Sequence, residues 1–581
     1  MIVKMKKVWL VCQSKDAQST VSQLRKLGLV HVEHQQPPQS KDIAALEEDI
    51  NVCSGALDVL SRYCLGQEKP PQKPVSDWKL ASRHIIDLDK RLDQLREYSF
   101  LVKNRIFKWE LWGDFEPAAI LSLAAKHIFI RFYEIPVNEI KNLPAELIVK
   151  KISVRGNIAN CVIVSREKRD IAWKEIPAPK ASLSAMRHKL QQDSLVEDAL
   201  IKDLCKHSDH YEDILKHKVL LEKELAFQKA LQGMGQSGGL VYLVGYTPVE
   251  AVATLEETAR AYQWGISIQD PADEDVVPTL LRQPRWVSVV RPLLSFLGIT
   301  PGYRELDVSW TFLIFFSIFF GILIGDAGYG VVYLLLTRFV LKRKLGLKQA
   351  KATLLLYVLS SSAIIWGMLS GTFFGQQWLS GVKVSALVPQ LNDAKFFQAL
   401  CFFLGAVHLS IAHSWRTILK LPSLSALADI GWLLIVWAAF FLARTLILDD
   451  PFPWFGKPLL FSGISLVVLF TNPQRNMLKA IGEGLGTIAL SLVNSFTDVV
   501  SYIRLFAVGM AGVAIADATN AMASSSGNAV AAVVIVSIGH ALNLVMGPMS
   551  VLVHGVRLNI LEFSGHAGVS WSGETYEPLA E

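Results

Sequence analysis

The sequence predicts an α-helical polytopic membrane domain of about eight transmembrane helices, joined to an elongated cytoplasmic α+β domain. In the cytoplasmic domain, two α/β lobes are connected by an antiparallel coiled coil. The main observation is a contrast in composition within a chain of 581 residues that is 51% hydrophobic overall. Most charged residues precede residue 300, whereas 308–563 consists of apolar runs with short polar breaks. We therefore place a boundary near Pro301, with a cytoplasmic domain at 1–300 and a membrane domain at 301–581.

Charge and cysteine content argue against several classes of function. The net charge of +6 is modest, and Lys and Arg alternate with acidic residues, so the sequence gives no case for nucleic-acid binding. The six cysteines form no CxxC pair, which argues against zinc or haem and favours a reduced cytosolic compartment. The opening MIVKMKKVWLVCQSK has too short an apolar run for a signal peptide, so we expect 1–300 to stay in the cytoplasm.

Two strand–helix–strand units form the first lobe, at 1–40 with 235–300. The first unit reads VWLVCQ, STVSQLRKLGLV and VHVEH; the second reads GLVYLVGYT, PVEAVATLEETARAYQWG and ISIQDP. Pro248 suits the first turn of the second helix, where a missing backbone N–H is tolerated. A second lobe at 110–180 contains the predicted strands HIFIRFYEI and NCVIVSR.

Three long polar segments with apolar residues at helical spacing connect these lobes. They cover 41–64, 82–109 and 182–232, and the last contains no proline. Because that length exceeds an ordinary globular helix, we predict an antiparallel coiled coil of 41–109 against 182–232.

The charged half carries no recognisable catalytic motif. The chain has no GxxxxGK[ST] phosphate loop and no GxGxxG at a strand-to-helix junction. The sequence therefore predicts a chain that is not itself an enzyme and binds no cofactor or metal. Four histidines read as solitary surface residues rather than metal ligands: His31, His34, His207 and His210.

Eight apolar segments are long enough to be membrane spans. The first two are separated only by GDAGYG, and we count them as two because the next basic cluster then falls on the cytoplasmic side, as the positive-inside rule requires. Both termini are then cytoplasmic. The segments are 308–324, 326–341, 352–369, 395–415, 425–447, 457–471, 483–520 and 528–562; the basic residues are Lys342, Arg343, Lys344, Lys348, Lys351, Arg416, Lys420, Arg475 and Lys479.

The last two segments exceed the roughly 20 residues that cross a bilayer perpendicularly, so we expect strongly tilted or projecting helices. Each also carries a polar stripe at steps of three and four. A charge in hydrocarbon costs at least about 2.5 kcal/mol, so these groups must face protein, water or a passing ion. The first stripe is Asn494, Asp498, Ser501 and Arg504; the second is His540, Asn543, Gly547, Ser550, His554 and Arg557.

Structural alternatives accompany these assignments. Asp498 could neutralise Arg504 within one helix, which would make the stripe a packing feature. Asp326 reads equally as a turn residue at the outer surface or as a functional carboxylate, and Glu562 reads as interfacial. Gly509, Ala511 and Gly512 are small enough to let a partner surface approach Arg504.

Seven motifs in one order resemble subunit I, also called subunit a, of the V-type and A-type rotary ATPases. The resemblance covers nearly the whole chain, and the chain length resembles prokaryotic members. The motifs are IVKMKKVWLV with KLGLVHVE, WGDF, VPTLLRQPRWV, YRELD, FFGILIGDAGYG, SYIRLFAVGMA and HGVRLNILEF, followed by the tail GETYEPLAE.

The resemblance implies a membrane stator for transport of protons or sodium ions. In that family, two offset half-channels lead to a carboxylate on a rotating proteolipid ring, and an arginine stands between them. It implies Arg504 as that arginine and Arg557 as its partner, with half-channel candidates at Asp498, Ser501, Asn494, His540, Asn543, Ser550, His554 and Glu562.

The resemblance also implies partners and a location. The cytoplasmic domain would be a stator arm that binds peripheral-stalk subunits of the E and G/H type and a central-stalk cap subunit of the d/C type. The membrane domain would contact the proteolipid ring and lipid in the cell (inner) membrane. The alternative function is a stand-alone ion channel or secondary transporter with a cytoplasmic regulatory arm; a membrane-anchored scaffold without transport is a third reading.

Overall fold

The structure is a computed structural model of the chain. It describes residues 1–64, 77–144, 147–167, 171, 173–341, 350–376, 385–471 and 491–581. These residues form two compact units. The first, here the membrane unit, comprises Met1–Val11, Leu29–Val32 and Val244–Pro578; the second, here the arm unit, comprises Cys12–Gly28, Glu33–Leu243 and Leu579–Glu581.

Within the described residues, nine strands build two sheets. One has the order β2-β8-β1-β9, with β7 paired to β8, and the other has the order β4-β5-β3-β6. The strands are β1 Met5–Gln13, β2 His31–Glu33, β3 Phe129–Pro136, β4 Ile148–Arg155, β5 Ile158–Ser165, β6 Glu175–Ile176, β7 Gly235–Ser237, β8 Leu240–Pro248 and β9 Gly265–Gln269.

We number sixteen helices, α1–α16, within the described residues. Helices α1–α8 are Ala17–Leu27, Lys41–Cys64, Trp78–Trp109, Pro117–Ala124, Leu183–Lys206, Tyr211–Gln232, Val252–Ala261 and Arg291–Leu297. Helices α9–α14 are Ser309–Ile324, Ala327–Leu336, Ala350–Ser370, Ala394–Lys420, Ala426–Leu448 and Gly456–Phe470. Helices α15 and α16 are Ser491–Ser525 and Ala529–Ala567.

The strand predictions for both lobes are confirmed. In β1, Val8, Leu10 and Cys12 are buried at every second position, which is the period of a strand with one face in a core. β1 runs antiparallel to β9, with Val8 opposite Ile268. The prediction for Pro248 is wrong: this residue ends β8 in extended conformation, and a 3-10 turn at Val249–Ala251 precedes α7.

Four long helices make up most of the arm unit. Ion pairs indicate that α3 runs antiparallel to α5, because Arg96 pairs with Glu197 and Glu110 pairs with Arg187. Their shared core includes Leu57, Leu60, Ile85, Leu88, Leu92, Leu204 and Ile214. The predicted single segment 182–232 is interrupted, since a 3-10 turn at His207–His210 separates α5 from α6. Knobs-into-holes packing as a coiled coil stays a prediction.

Five described helices are long and apolar enough to cross a membrane: α11, α12, α13, α15 and α16. A sixth candidate is the pair α9 and α10, bent by 117° at the break, and α14 is a shorter apolar helix. The predicted eight spans count the bent pair as two and include α14, so the exact number stays a prediction. Of the basic residues behind the predicted orientation, Lys342, Arg343, Lys344, Lys348, Arg475 and Lys479 lie outside the described residues, as does the start of the seventh segment at 483–490.

The core of the membrane unit surrounds α9. Phe312, Phe316 and Phe319 are at most 2% exposed and pack among residues of α12, α15 and α16. Gly509 of α15 lies against this helix, because a Cβ there would come within 2.5 Å of the Ile322 carbonyl oxygen. One side of α15 and of α16 therefore faces the protein interior, where their polar residues contact groups of the other helices.

Candidate functional site

Arg504 lies in α15, where it is held by hydrogen bonds from two of its nitrogens. Its side chain is 22% exposed. Nη2 donates to Glu562 Oε1 on α16, and Nε donates to the carbonyl oxygen of Ser501 at 3.0 Å. The guanidinium is thus oriented by its own helix and by the neighbouring one, while part of it remains accessible.

Arg557 and Glu562 complete a group that we call the arginine cluster, with Arg504. Arg557 Nε lies 3.6 Å from the same Glu562 Oε1, and the Glu562 side chain is only 5% exposed. Among the described residues, Glu562 Oε2 has no hydrogen-bond partner. Because one carboxylate faces two guanidiniums, the cluster retains one net positive charge inside the apolar half of the protein.

The structure selects between the alternatives for this charge. Arg504 pairs with Glu562 on α16 rather than with Asp498, and the Glu562 side chain is buried within the protein. The physical reason is the shape of α16, which contains π-helical segments at Val551–Gly555 and Leu558–Phe563. A π turn inserts an extra residue into the helical repeat, so it changes the face on which the following residues lie. Glu562 falls within the second of these segments.

Asp498 belongs instead to a set that we call the histidine network, with His566, His413 and Arg416. Asp498 Oδ2 is 3.0 Å from His566 Nε2, and His566 Nδ1 is 2.8 Å from His413 Nε2. Arg416 Nη1 donates to the His566 carbonyl oxygen at 3.0 Å. Two imidazoles and a carboxylate therefore form a continuous hydrogen-bonded chain across α15, α16 and α12.

A cavity of about 290 Å³ opens onto the histidine network. Asp498 is 31% exposed there, whereas the two histidine rings are more deeply placed. The cavity exposes Asp498, which begins a chain of groups able to carry a proton. Among the described residues its lining comprises His413, Arg416, Trp432, Ser491, Asn494, Ser495, Asp498, Gly565 and His566.

A second group of polar residues, the tyrosine network, connects α10, α15 and α16 beyond Arg504. The Tyr329 hydroxyl is 2.7 Å from His540 Nδ1 and accepts from Asn543 Nδ2 at 3.0 Å. His540 Nε2 lies 3.0 Å from Asn520 Oδ1. All four residues are largely buried. The predicted stripe residues His540 and Asn543 are therefore brought together with two partners from other helices.

Asp326 lies at the amino-terminal end of α10 and holds Tyr329 of the tyrosine network in position. It is 1% exposed and accepts hydrogen bonds from the backbone amides of Tyr329, Phe374 and Gly375 at 2.8–3.1 Å. It is therefore a buried capping residue at the break between α9 and α10, and a role as a functional carboxylate stays a prediction. Three amide donors fix the break between α9 and α10 and so fix the position of Tyr329.

The remaining predicted residues have more local roles. The Ser501 hydroxyl donates to the Asp498 carbonyl oxygen in its own helix at 2.7 Å. His554 Nδ1 is buried without a hydrogen-bond partner among the described residues, and Ser550 is partly buried. Gly509 packs on α9 rather than opening a surface beside Arg504, and Gly512 contributes its carbonyl oxygen as the acceptor of an Asn543 amide hydrogen at 2.7 Å.

Sequence reasoning missed His413, His566, Tyr329 and Asn520. None of them belongs to a predicted polar stripe, and His413 and Tyr329 lie on helices for which no stripe is predicted. His566 lies one turn beyond Glu562, past the predicted end of the last span. An isolated polar side chain within a candidate span is costly in free energy and therefore requires a partner on another helix. This cost was the only available signal.

Together, the fold and this site define a polytopic membrane protein that keeps a charged cluster between two buried polar networks. Along α15, Asp498 is six residues before Arg504 and Asn520 is sixteen after it, which corresponds to about 9 Å and 24 Å of helix.

Comparison with known proteins assigns the family. The chain is 30% identical over 611 aligned residues to V-type ATP synthase subunit I of Borreliella burgdorferi, covering 100% of this chain and 99% of that protein. It is also 30% identical over 625 residues to V-type ATP synthase subunit I 1 of Treponema pallidum, with full coverage of both chains. A-type ATP synthase subunit I of Pyrococcus abyssi is 24% identical over 76% of this chain and 69% of its own. The chain therefore belongs to the V/A-type ATP synthase subunit I family, as its motifs predict.

One solved structure is also similar in part. The cytoplasmic N-terminal domain of a V-ATPase subunit I, homologous to subunit a, aligns with 45% of this chain and 99% of that chain, at 15% identity and a TM-score of 0.26. No protein-family model matches the chain.

Proposed function

We propose that this chain is the membrane stator subunit of a V/A-type rotary ATPase or ATP synthase, and that Arg504 separates two half-channels for protons or sodium ions. The observation that carries the proposal is the position of Arg504: a partly exposed cation between two polar networks, in a chain of the subunit I family. The chain itself supplies no nucleotide site in this proposal and acts as a non-catalytic subunit.

The histidine network would form one half-channel. Its cavity gives Asp498 contact with water, and the hydrogen-bonded chain to His566 and His413 can transfer protons between groups. Asn494 lines the same cavity, which supports its assignment from the stripe.

The tyrosine network would form the other half-channel. His540, Asn543 and Tyr329 provide oxygen and nitrogen atoms within hydrogen-bonding distance of one another, on the other side of Arg504 along α15. Ser550 and His554 continue the α16 stripe towards the arginine cluster, and we propose that they extend this path.

Arg504 would act on a carboxylate of the rotating proteolipid ring. A fixed cation favours the ionised form of an approaching carboxylate, so the ion leaves before that site passes the arginine. Arginine is suited to this position because it does not lose its proton at working pH and therefore cannot relay protons between the half-channels. Glu562 would hold the guanidinium in place until the ring carboxylate arrives, and Arg557 would share that carboxylate.

The arm unit would resist the torque of the rotating ring, as a stator requires. Its four long helices carry many exposed ion pairs, which suits contact with water and with other soluble subunits. We propose that it binds peripheral-stalk subunits and the central-stalk cap, on the cytoplasmic side of the cell membrane. The count of eight spans with both termini inside belongs to the same proposal.

Replacement of Arg504 by alanine tests the proposal in the assembled complex. In membrane vesicles, we expect ATP-driven ion transport to be lost while the complex still assembles, because the ring carboxylate no longer meets a fixed cation. Transport and ATP hydrolysis should be measured on the same vesicles, with assembly followed by co-purification of the ring.

Arg444→Ala is the matched control, since Arg444 belongs to the same unit and pairs with Asp450 at 2.7 Å. This variant should transport ions at the wild-type rate. Undiminished ATP-driven transport by Arg504→Ala would refute the proposal, and ion flux independent of ATP and of the other subunits would favour a stand-alone channel or transporter.

A further inference from the structure

Three potential metal ligands meet in the arm unit where α3 passes the turn between α5 and α6. They are His84, Asp203 and His207, and one ligand atom from each lies within 4.8 Å of the other two. The two imidazole rings have centroids 5.2 Å apart and are nearly perpendicular, at 78°. The sequence reading of His207 as a solitary surface histidine is therefore wrong, because its partner comes from a distant helix.

The local structure explains why these side chains converge. Asp203 and His207 are four residues apart, so they lie on one face at the end of α5. His84 projects from the second turn of α3, next to Ile85, which is fully buried. Leu204, beside Asp203, is also fully buried in the same apolar core. The backbones that carry the three ligands are thus fixed by packing on both sides of the cluster.

We propose that His84, Asp203 and His207 bind a divalent transition-metal ion of the zinc class. Two imidazole nitrogens and one carboxylate oxygen form a donor set that suits zinc, cobalt and nickel better than calcium or magnesium. Zinc binds nitrogen and oxygen ligands at about 2.0–2.2 Å, so tetrahedral ligands are about 3.4 Å apart. Binding would require side-chain rotation that brings ligand atoms now within 4.8 Å of one another to this separation, and a water molecule would take the fourth position.

Two neighbouring groups are consistent with this site. Asp203 Oδ1 is held by Lys206 Nζ at 3.2 Å in an exposed ion pair, which a metal can replace at little cost. His210 stands next to His207, with ring centroids 5.7 Å apart, and its Nδ1 is buried without a hydrogen-bond partner among the described residues.

Metal binding would join α3 to the end of α5. These helices are otherwise held at this point by apolar contacts and exposed ion pairs, and the 3-10 turn His207–His210 interrupts the long antiparallel packing here. A metal that links the two sides would stiffen the arm at its break. This inference does not depend on the proposed ion-transport function.

Zinc titration of the purified full-length chain tests the site. After treatment with a chelator, the protein in detergent is titrated with Zn²⁺ by calorimetry, and with Co²⁺ by visible absorption. We expect wild type to bind one equivalent that the His84→Ala/His207→Ala variant loses, with Kd raised at least about tenfold in Asp203→Asn. The Co²⁺ spectrum of wild type should report tetrahedral nitrogen and oxygen ligation.

His188→Ala is the matched control, because His188 is an exposed histidine on the same helix α5. It should bind Zn²⁺ as wild type does. The proposal is overturned if the double variant keeps the wild-type stoichiometry and affinity, or if His188→Ala loses the same equivalent. If the double variant does not fold, Asp203→Asn still tests the proposal, because this substitution removes only an exposed ion pair.

Discussion

Two arginine–glutamate pairs in this chain have the same chemistry and opposite surroundings. Arg187 and Glu110 in the arm unit are 2.6 Å apart, and both side chains are more than half exposed, at 58% and 57%. Arg504 and Glu562 in the membrane unit are 22% and 5% exposed. Exposed pairs contribute about 0–1 kcal/mol, whereas removing one partner of a buried pair costs about 3–5 kcal/mol. An ion pair in the arm unit can therefore be replaced at little cost in stability. A buried charge in the membrane unit is costly in free energy, so its retention indicates a role.

Glu562→Ala should have the largest effect on stability. Arg504, which is mostly buried, would lose its carboxylate partner, and we expect the free energy of unfolding of the membrane unit to fall by about 3–5 kcal/mol. The measurement is denaturant unfolding of the purified chain in detergent. Combining Glu562→Ala with Arg504→Ala should restore part of the lost stability. If Glu562→Ala is as stable as wild type, Arg504 and Glu562 do not behave as a buried ion pair.

His566→Ala should mainly impair transport rather than stability. It breaks the hydrogen-bonded chain from Asp498 to His413, and we expect ATP-driven proton transport in the complex to fall at least about tenfold. Transport is measured in vesicles at equal complex content. Trp432→Phe, which changes the same cavity wall without removing a titrating group, serves as the control. Equal transport rates in both variants would argue against a half-channel at the histidine network.

Glu305, in the YRELD motif, links the chain before α9 to the tail. Burial raises its pKa, but hydrogen bonds from Ser570, Gly302 and Trp571 outweigh this and hold the pKa below its ordinary value. Its stabilising contribution is therefore complete above about pH 4.3, the unfolded value, and is lost as the pH falls through the folded value. Glu305→Gln should flatten this part of a stability-against-pH curve measured from neutral to acidic pH. A curve parallel to that of wild type would contradict the assignment.

Arg187→Ala should have the smallest effect. Since both partners are exposed, we expect the free energy of unfolding to change by less than about 1 kcal/mol and to become less sensitive to added salt. Thermal unfolding at low and high ionic strength measures this. A loss comparable to that of Glu562→Ala would remove the contrast between the two units.

The sequence was sufficient for the features that repeat along one element. The strands of both lobes and the shared face of His540 and Asn543 on α16 follow from periodicity, whereas the role of Arg504 stays a prediction. The family followed from ordered motifs and is confirmed by relatives that cover the full chain.

Features that depend on several helices were not predictable in this way. His413, His566 and Tyr329 acquire partners only when their helices pack, and nothing in their own segments marks them. The pairing of Glu562 with Arg504 was not predictable because a helical repeat of 3.6 residues does not account for π turns. His207 was misread for a related reason, since His84 is more than a hundred residues away in sequence.

Passive ion flux shows whether Arg504 keeps two ion paths apart. Complexes in liposomes are given an ion gradient without ATP, and ion flux is compared for wild type, Arg504→Lys and Arg504→Ala. We expect no leak in wild type and increased flux in both variants, since alanine carries no charge and lysine can lose its proton when desolvated. Adding Asp498→Asn to Arg504→Ala should reduce the flux again. If the Arg504→Ala complex leaks no more than wild type and still pumps with ATP, Arg504 does not separate two ion paths.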